Sequence, residues 1–277
     1  MTASRNPAPP SAAIRSPRVR AASDITSGWQ RRELWLSLAL QDIRSRYRRS
    51  VLGPFWISLQ MLAFVLGIGV LYAALFKQDA AKFIPYVALG FLMWSFITGM
   101  VLDATSTYTS NAHLIRSSSL PLSVYAFRTS AMQVVLFLHN AAVVVVMLLI
   151  LRVTPSVWAL LSVPLAMVVT VVNGFFLVLW LGPLSARFRD VPPLVGTFMQ
   201  LMLFLTPVFW DPSHLPGRAF VAWNPFAYFL EVFRDPLLDR HIFPGSWLVL
   251  VGISVVNVAA GMFVFARNRP HIAYWVG

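Results

Sequence analysis

The chain has 277 residues, of which 58% are apolar and 12% charged, against roughly 25% charged in soluble domains. A water-soluble globule of this length has no interior large enough for so much apolar surface. The apolar residues form long uninterrupted runs, so the sequence reads as an all-α polytopic membrane protein and excludes a soluble enzyme. The formal net charge is +12, but the basic residues lie at the ends of the apolar runs rather than in one patch, which points to membrane orientation and away from nucleic acid. There is no cysteine, hence no disulfide, thiolate nucleophile or cysteine-bound metal.

Residues 1–28 are rich in Pro, Ser, Ala and Arg and lack the apolar core of a signal peptide, so they predict a disordered cytoplasmic tail. The next segment, 29–52, predicts an amphipathic interfacial helix. Trp29, Leu36, Leu40, Ile43 and Tyr47 share one stripe, and Arg44, Arg46, Arg48 and Arg49 crowd its end, as expected of a helix lying along the inner membrane surface. Leu34, Trp35 and Leu38 fall on the opposite side, so this helix is expected between lipid and another protein surface.

Six runs then predict transmembrane helices at 55–76, 84–102, 131–151, 157–182, 194–210 and 247–266, forming a six-span domain over 53–268 with a short tail at 269–277. The fifth is marginal. Pro207 inside it predicts a kink or a broken end lined by protein, with a re-entrant segment as the alternative. Residues 103–123 predict a polar cytoplasmic segment. Residues 211–246, punctuated by Pro212, Pro225 and Pro236, predict short re-entrant or interfacial helices between spans five and six.

Orientation follows from arginine. With the amino terminus inside, the inner segments hold ten Arg before residue 53 together with Arg116, Arg128, Arg187, Arg189, Arg267 and Arg269. The six outer cations are nearly balanced by Asp79, Asp211, Glu231, Asp235 and Asp239, and both termini are expected in the cytoplasm.

Catalytic groups are sparse. The five His show no metal-binding spacing, and only His139 falls well inside a span, where hydrogen-bonded packing is the simpler role and a proton relay the sharper one. Asp103 stands where the second span leaves the membrane, and no carboxylate is left at mid-depth, which weighs against an ion-coupled transporter. No GxxxxGK[ST] loop occurs, so any ATP is bound by another polypeptide.

Four motifs occur in order: RYRRSVLGPFW (Arg46 to Trp56), NAHLIRSSSLP (Asn111 to Pro121), ARFRDV (Ala186 to Val191), and TPVFW (Thr206 to Trp210) combined with NPF (Asn224 to Phe226). Over roughly residues 29–268 the sequence resembles the membrane permease of ABC exporters in the polysaccharide and polyol-phosphate branch, which move O-antigen, capsule or teichoic-acid chains. SSSLP stands where relatives tend to carry a basic and an aromatic residue before the proline.

The resemblance implies a homodimer of this chain on two copies of a separate ABC ATPase subunit, with ATP and Mg bound there and no cofactor in this chain. It implies residence in the bacterial cytoplasmic membrane and a lipid-linked glycan as cargo. Asn111, Leu114, Ile115 and Arg116 are then the expected coupling helix, with Asn111 capping it, Leu114 and Ile115 inserting into an ATPase cleft and Arg116 pairing with an acid. Arg187, Arg189 and Asp190 complete the docking surface. Arg46, Tyr47, Arg48 and Arg49 form an interfacial gate, whose arginines suit either a substrate pyrophosphate or, more simply, anionic phospholipid.

A sliding sugar polymer is better served by many weak ring contacts than by ion pairs. Trp56, Phe198, Phe204, Phe209 and Trp210 are therefore expected along the substrate path, although aromatic belts and lipid-facing Phe account for such residues equally well. A permease for a drug or small lipid is the nearer alternative, and a membrane transferase the more distant one.

Overall fold

The computed structural model describes residues 16–48, 55–212, 219–240 and 245–276, and these are helical with short connections and no strand. Eleven α-helices are present among them: α1 (Pro17–Gln30), α2 (Arg32–Tyr47), α3 (Phe55–Leu75), α4 (Ala80–Ser110), α5 (Ala112–Ser117), α6 (Ser123–Ile150), α7 (Ala159–Arg187), α8 (Val191–Leu205), α9 (Ala219–Ala222), α10 (Pro225–Arg234) and α11 (Ser246–Trp275). A 3-10 turn, Asp235–Leu238, follows α10.

Five helices, α3, α4, α6, α7 and α11, are long and apolar enough to cross a membrane. Helix is the expected form, because inside hydrocarbon every backbone N–H and C=O needs a partner within the segment. Several run past the apolar stretches that predict them. The 31 residues of α4 measure roughly 46 Å against about 30 Å of hydrocarbon, and its polar extension reaches Ser110. Likewise α11 continues to Trp275 through most of the expected tail at 269–277.

The expected fifth span is shorter than predicted. Helix α8 has 15 residues and stops at Leu205, and Thr206 is already extended at φ −91° and ψ 139°. At roughly 22 Å it does not by itself match the hydrocarbon thickness. Even so, the chain travels the length of the bundle between α7 and α11: Val191 packs with the cluster at the end carrying the termini, whereas Val208 and Phe209 join the cluster at the far end.

The centre of the bundle is α4, packed by α3, α6, α7, α8 and α10. Its buried side chains serve both cores. Tyr86, Leu89, Met93, Phe96 and Met100 belong to the far-end cluster with Leu230, Phe233 and Leu250, and Ala104 and Tyr108 belong to the second with Val178, Leu179 and Phe265. Close approach depends on a small residue. A Cβ on Gly182 of α7 would lie 2.7 Å from the Tyr108 ring, so the tyrosine fills the space that glycine leaves. Between α7 and α11, Asn173 Nδ2 donates to Ser254 Oγ at 2.7 Å, Asn257 Nδ2 donates to the Asn173 carbonyl at 2.8 Å, and Trp180 Nε1 donates to Asn257 Oδ1 at 2.8 Å. These satisfied amides join two otherwise apolar helices.

The tail expected to be disordered is corrected by α1, which holds residues 17–30 in a helix; residues 1–15 lie outside the described residues. Its start is a Ser-Pro pair: Ser16 Oγ accepts from the Val19 N–H at 3.5 Å, and Pro17 occupies the first helical position, where its missing N–H costs nothing. The backbone turns at Arg31, so the expected continuous helix from residue 29 is divided between α1 and α2. In α2, Trp35 and Ala39 are buried whereas Leu36 and Leu40 are exposed, as is Trp29 near the end of α1. That matches the two apolar sides read from the sequence, with Trp35 stacked on Phe127 of α6 at 5.5 Å.

What anchors α1 is Asp24, whose side chain is fully buried. Its carboxylate accepts from the backbone N–H groups of Leu122 and Ser123 at 3.3 and 2.9 Å, at the start of α6, and from Arg269 Nε of α11 at 2.6 Å. An anion at a helix N-terminus is favoured by the unpaired amides there. Replacing Asp24 by Ala is expected to cost roughly 2 kcal/mol, the loss of a cap together with a half-exposed ion pair. A melting temperature in detergent reduced by several degrees, with Asp24→Asn intermediate, would show it; an unchanged melt of both variants would contradict the anchoring role.

Candidate functional site

Two parts of the molecule concentrate the residues singled out by sequence. At the end carrying the termini, α4 breaks at Asn111 (φ −106°, ψ 16°) and α5 follows at once. Asn111 stands at the N-cap position but does not cap α5 with its side chain, which corrects that expectation. Its Nδ2 donates back to the Thr107 carbonyl, and its Oδ1 accepts from Arg128 NH1, both at 2.7 Å. Arg128 in turn donates from Nε to Asp42 Oδ2 of α2 at 2.6 Å. The side chain thus fixes the α4–α5 break to α6 and α2.

The two apolar residues of α5 separate. Leu114 is 39% exposed, whereas Ile115 is 8% exposed and packs in the core cluster that includes Ala21, Tyr108, Ile272 and Val276. Ile115 is therefore a packing residue of this chain, and the expectation that it inserts into a partner is corrected. Arg116 is exposed, and its Nε lies 3.4 Å from the Ala112 carbonyl.

The turn after α7 lies at the same end, across α11. Arg187 places its guanidinium 5.0 Å from the Phe188 ring and 5.5 Å from that of Trp275, near the end of α11. Arg189 and Asp190 are exposed, and Asp190 precedes α8 without a side-chain cap. The last turn of α11 therefore bridges the two expected docking elements, through Ile272 toward α5 and through Trp275 toward Arg187. The gate is less fully described: Arg46 and Tyr47 close α2, Arg48 is exposed at its C-cap, and Arg49 lies outside the described residues.

At the far end the broken end of α8 is rebuilt by side chains. Tyr86 OH donates to the carbonyls of Trp210 and Pro207 at 3.0 and 3.4 Å, and Arg234 NH1 donates to the Pro207 carbonyl at 2.7 Å. Asn224 Nδ2 donates to Thr206 Oγ1 at 2.9 Å and to the Leu205 carbonyl at 3.2 Å, while its Oδ1 accepts from the Phe226 N–H and caps α10. The TPVFW and NPF motifs are thus one physical unit. The helix that ends early leaves carbonyls without intrahelical donors, and these side chains supply them.

Charge gathers around the same ring. Arg234 lies 3.8 Å and Arg240 4.8 Å from the Tyr86 centroid. Arg240 also pairs with Asp211 at 2.7 Å and Arg234 with Asp235 at 3.3 Å. Burial pushes the Asp235 carboxyl above its ordinary range, opposed by the adjacent Arg234. Tyr86 and Arg234 carry no motif signal of their own; a positive charge in an apolar stretch, FAYFLEVFR, was the available clue.

The expected path residues divide. Phe198 and Phe204 are exposed on α8 together with Leu194 and Leu201, forming one stripe, and Trp56 is exposed in the first turn of α3. Phe209 is 5% exposed and packs against Phe64, Phe91 and Tyr72. It is a core residue, which corrects its placement on a path. Trp210 is half-buried and donates from Nε1 to the Phe204 carbonyl at 3.0 Å. His139 meets Phe55 edge-on at 5.8 Å, and its Nε2 has no hydrogen-bond partner among the described residues.

Replacing Arg234 by Leu is expected to destabilise the fold by about 3 kcal/mol, because it takes from the Pro207 carbonyl its shorter donor and from the Asp235 carboxylate its adjacent charge. Arg240→Leu, at the half-exposed pair, is expected to cost under about 1 kcal/mol. Equal thermal melts for the two variants would refute this division between the two arginines.

Comparison with known proteins finds relatives along most of the chain. The chain is 23% identical over 236 residues to an O-antigen export system permease protein RfbA of Klebsiella pneumoniae, covering 81% of this chain and 91% of that protein. It is 25% identical over 254 residues to the O-antigen export system permease protein RfbA of Myxococcus xanthus, covering 88% of this chain and 96% of that protein. The profile of the ABC-2 type transporter family matches residues 33–238, from α2 to the 3-10 turn after α10. The chain belongs to the ABC-2 type transporter family.

Proposed function

We propose that this chain is the transmembrane subunit of an ATP-driven exporter that carries a lipid-linked polysaccharide across the bacterial cytoplasmic membrane. The observation that carries the reading is its relationship, over more than four-fifths of its length, to permeases named for O-antigen export. The chain itself has no phosphate-binding loop, so hydrolysis belongs to a separate ABC ATPase subunit, which holds ATP and Mg. Two permeases and two ATPases make the working unit.

In this reading both termini are cytoplasmic, α2 lies along the inner membrane surface, and α8 with its rebuilt end makes a sixth crossing. The ATPase docks at the end carrying the termini, on Leu114 and Arg116 of α5 and on the Arg187–Asp190 turn. Ile115 transmits the load: it is buried in the cluster shared with α4 and α11, which α5 contacts, so displacement of α5 moves the bundle rather than the helix alone. The exposed stripe Leu194, Phe198, Leu201 and Phe204 of α8, with Trp56 of α3, suits a dimer seam along which a glycan slides on ring faces.

The test is ATP hydrolysis by this chain reconstituted with its candidate ATPase. Lipid-linked glycan from the same cell is expected to stimulate the rate, whereas stimulation by small amphiphiles alone would favour a drug or lipid exporter. Leu114→Asp is expected to reduce stimulation at least tenfold, a loss of about 1.4 kcal/mol of coupling, with the melting temperature unchanged. Ile115→Asp is expected to lower the melting temperature, because it buries a carboxylate. Stimulation by glycan that survives Leu114→Asp at full strength would refute the docking role of α5.

A further inference from the structure

We propose that a polar cleft enclosed by α2, α4 and α6 binds the uncharged, hydroxyl-bearing sugars of the cargo, separately from its phosphate; this rests on the export reading above. Where α4 continues past its apolar stretch, Asp103, Ser106 and Ser110 fall at i, i+3 and i+7 and form one wall. Opposite them are Asp42 and Ser45 of α2, and Arg128, Thr129 and Met132 of α6 close the third side. The enclosed volume is about 480 Å³, within the roughly 300 to 1,000 Å³ of small-molecule sites.

The chemistry of the lining selects the ligand. Much of its donor capacity is used within the protein: Arg128 gives Nε and one N–H of NH2 to Asp42 and one N–H of NH1 to Asn111, one N–H of Asn111 Nδ2 goes to the Thr107 carbonyl, and Gln133 Nε2 donates to Asp103 Oδ2 at 2.5 Å. The hydroxyls follow the same pattern. Ser45 and Ser106 donate to the carbonyls of Asp42 and Asp103, three residues earlier, so their oxygens keep acceptor lone pairs for a ligand.

A cleft of this kind offers a ligand both acceptors and a few remaining N–H donors. Its ionisable lining groups are two carboxylates and one guanidinium, a net charge of minus one. The one positive charge, on Arg128, is already paired with the Asp42 carboxylate, and the second carboxylate, on Asp103, repels an anion, so the cleft disfavours a phosphate. A sugar hydroxyl both donates and accepts, and a row of them matches a carboxylate and serines spaced along one helix face. The cleft also joins the coupling elements, because Asn111 and Arg128 link its lining to the α4–α5 break. Occupancy is therefore read at the base of the helix proposed to meet the ATPase.

The absence of cysteine makes the test direct. Ser106→Cys on one wall and, as a second reporter, Ser45→Cys on the other are each reconstituted with the ATPase partner, and labelling by a hydrophilic maleimide is timed. The probes are an isoprenoid pyrophosphate bearing a short neutral oligosaccharide, the same isoprenoid pyrophosphate without sugar, and a small cationic amphiphile. The sugar-bearing probe at several times its dissociation constant is expected to slow labelling about fivefold, and the sugarless probe to leave it unchanged.

Equal slowing by the sugarless probe would overturn the proposal in favour of pyrophosphate or lipid, and slowing by the amphiphile alone would overturn it in favour of an amine. If neither cysteine is protected while the sugar-bearing probe stimulates ATP hydrolysis in the same samples, the cleft assignment fails and the export reading stands. If that probe neither protects nor stimulates, both fail together.

Discussion

The constraint on which this structure depends is that backbone polar groups within hydrocarbon must find partners inside the protein. Five helices meet it by themselves. The shorter segment between α7 and α11 does not, because α8 stops at Leu205 and Pro207 cannot continue it. The chain meets the requirement with Tyr86, Asn224 and Arg234, which donate to the carbonyls of Leu205, Pro207 and Trp210. These three come from α4, from the cap of α10 and from its end, so one discontinuity organises the whole far end of the bundle. Gly90 belongs to the same unit: a Cβ there would stand 3.0 Å from the Val208 carbonyl oxygen and 3.2 Å from the Arg234 guanidinium.

At the opposite end a single carboxylate has a comparable place. Asp24 joins α1 to the first amides of α6 and to Arg269 of α11, residues far apart in sequence. Helix α5 lies between the end of α4 and the start of α6, with Ile115 buried in the core cluster at that end. A small surface helix held at both ends and underneath is mechanically suited to pass displacement into the bundle. Leu114 and Arg116 are exposed on it, and the proposed docking uses these two side chains.

Much of the bundle was legible because burial in lipid leaves a long, one-sided record in composition. The five span-length helices coincide with apolar runs for that reason. Their extensions were not legible, since Asp103 to Ser110 and Arg267 to Trp275 continue helices through residues whose polarity carries no periodic signal strong enough to set an end. Pro207 did announce a broken end, but the partners that repair it are distant in sequence and nothing local names them. Helix α1 was announced only by Ser16-Pro17, a short cue inside a segment whose composition resembles disorder, and the role of Asp24 depends on contacts nearly a hundred or more residues away.

The site was legible in outline and less so in detail, for a related reason. A six-residue helix such as α5 is too short for its pattern to tell an inward from an outward residue, so Leu114 and Ile115 read alike and fold differently. Aromatic residues present the same ambiguity, because a ring suits a core as well as a sugar path. Phe209 took the first role, whereas Phe198 and Phe204 remain on the surface. The polar cleft beside α2 escaped the sequence reading altogether, since its walls come from three helices and Asp103 by itself looked like an interfacial carboxylate.

The central claim, ATP-driven export of a lipid-linked glycan, is tested most directly in cells that lack this chain. Surface glycan is measured after restoring the chain together with its ATPase, and again with an ATPase that binds but does not hydrolyse ATP. The account predicts glycan on the outer face only with the active pair and its accumulation on the inner face otherwise. Glycan reaching the surface with the inactive ATPase, or without this chain, would contradict it.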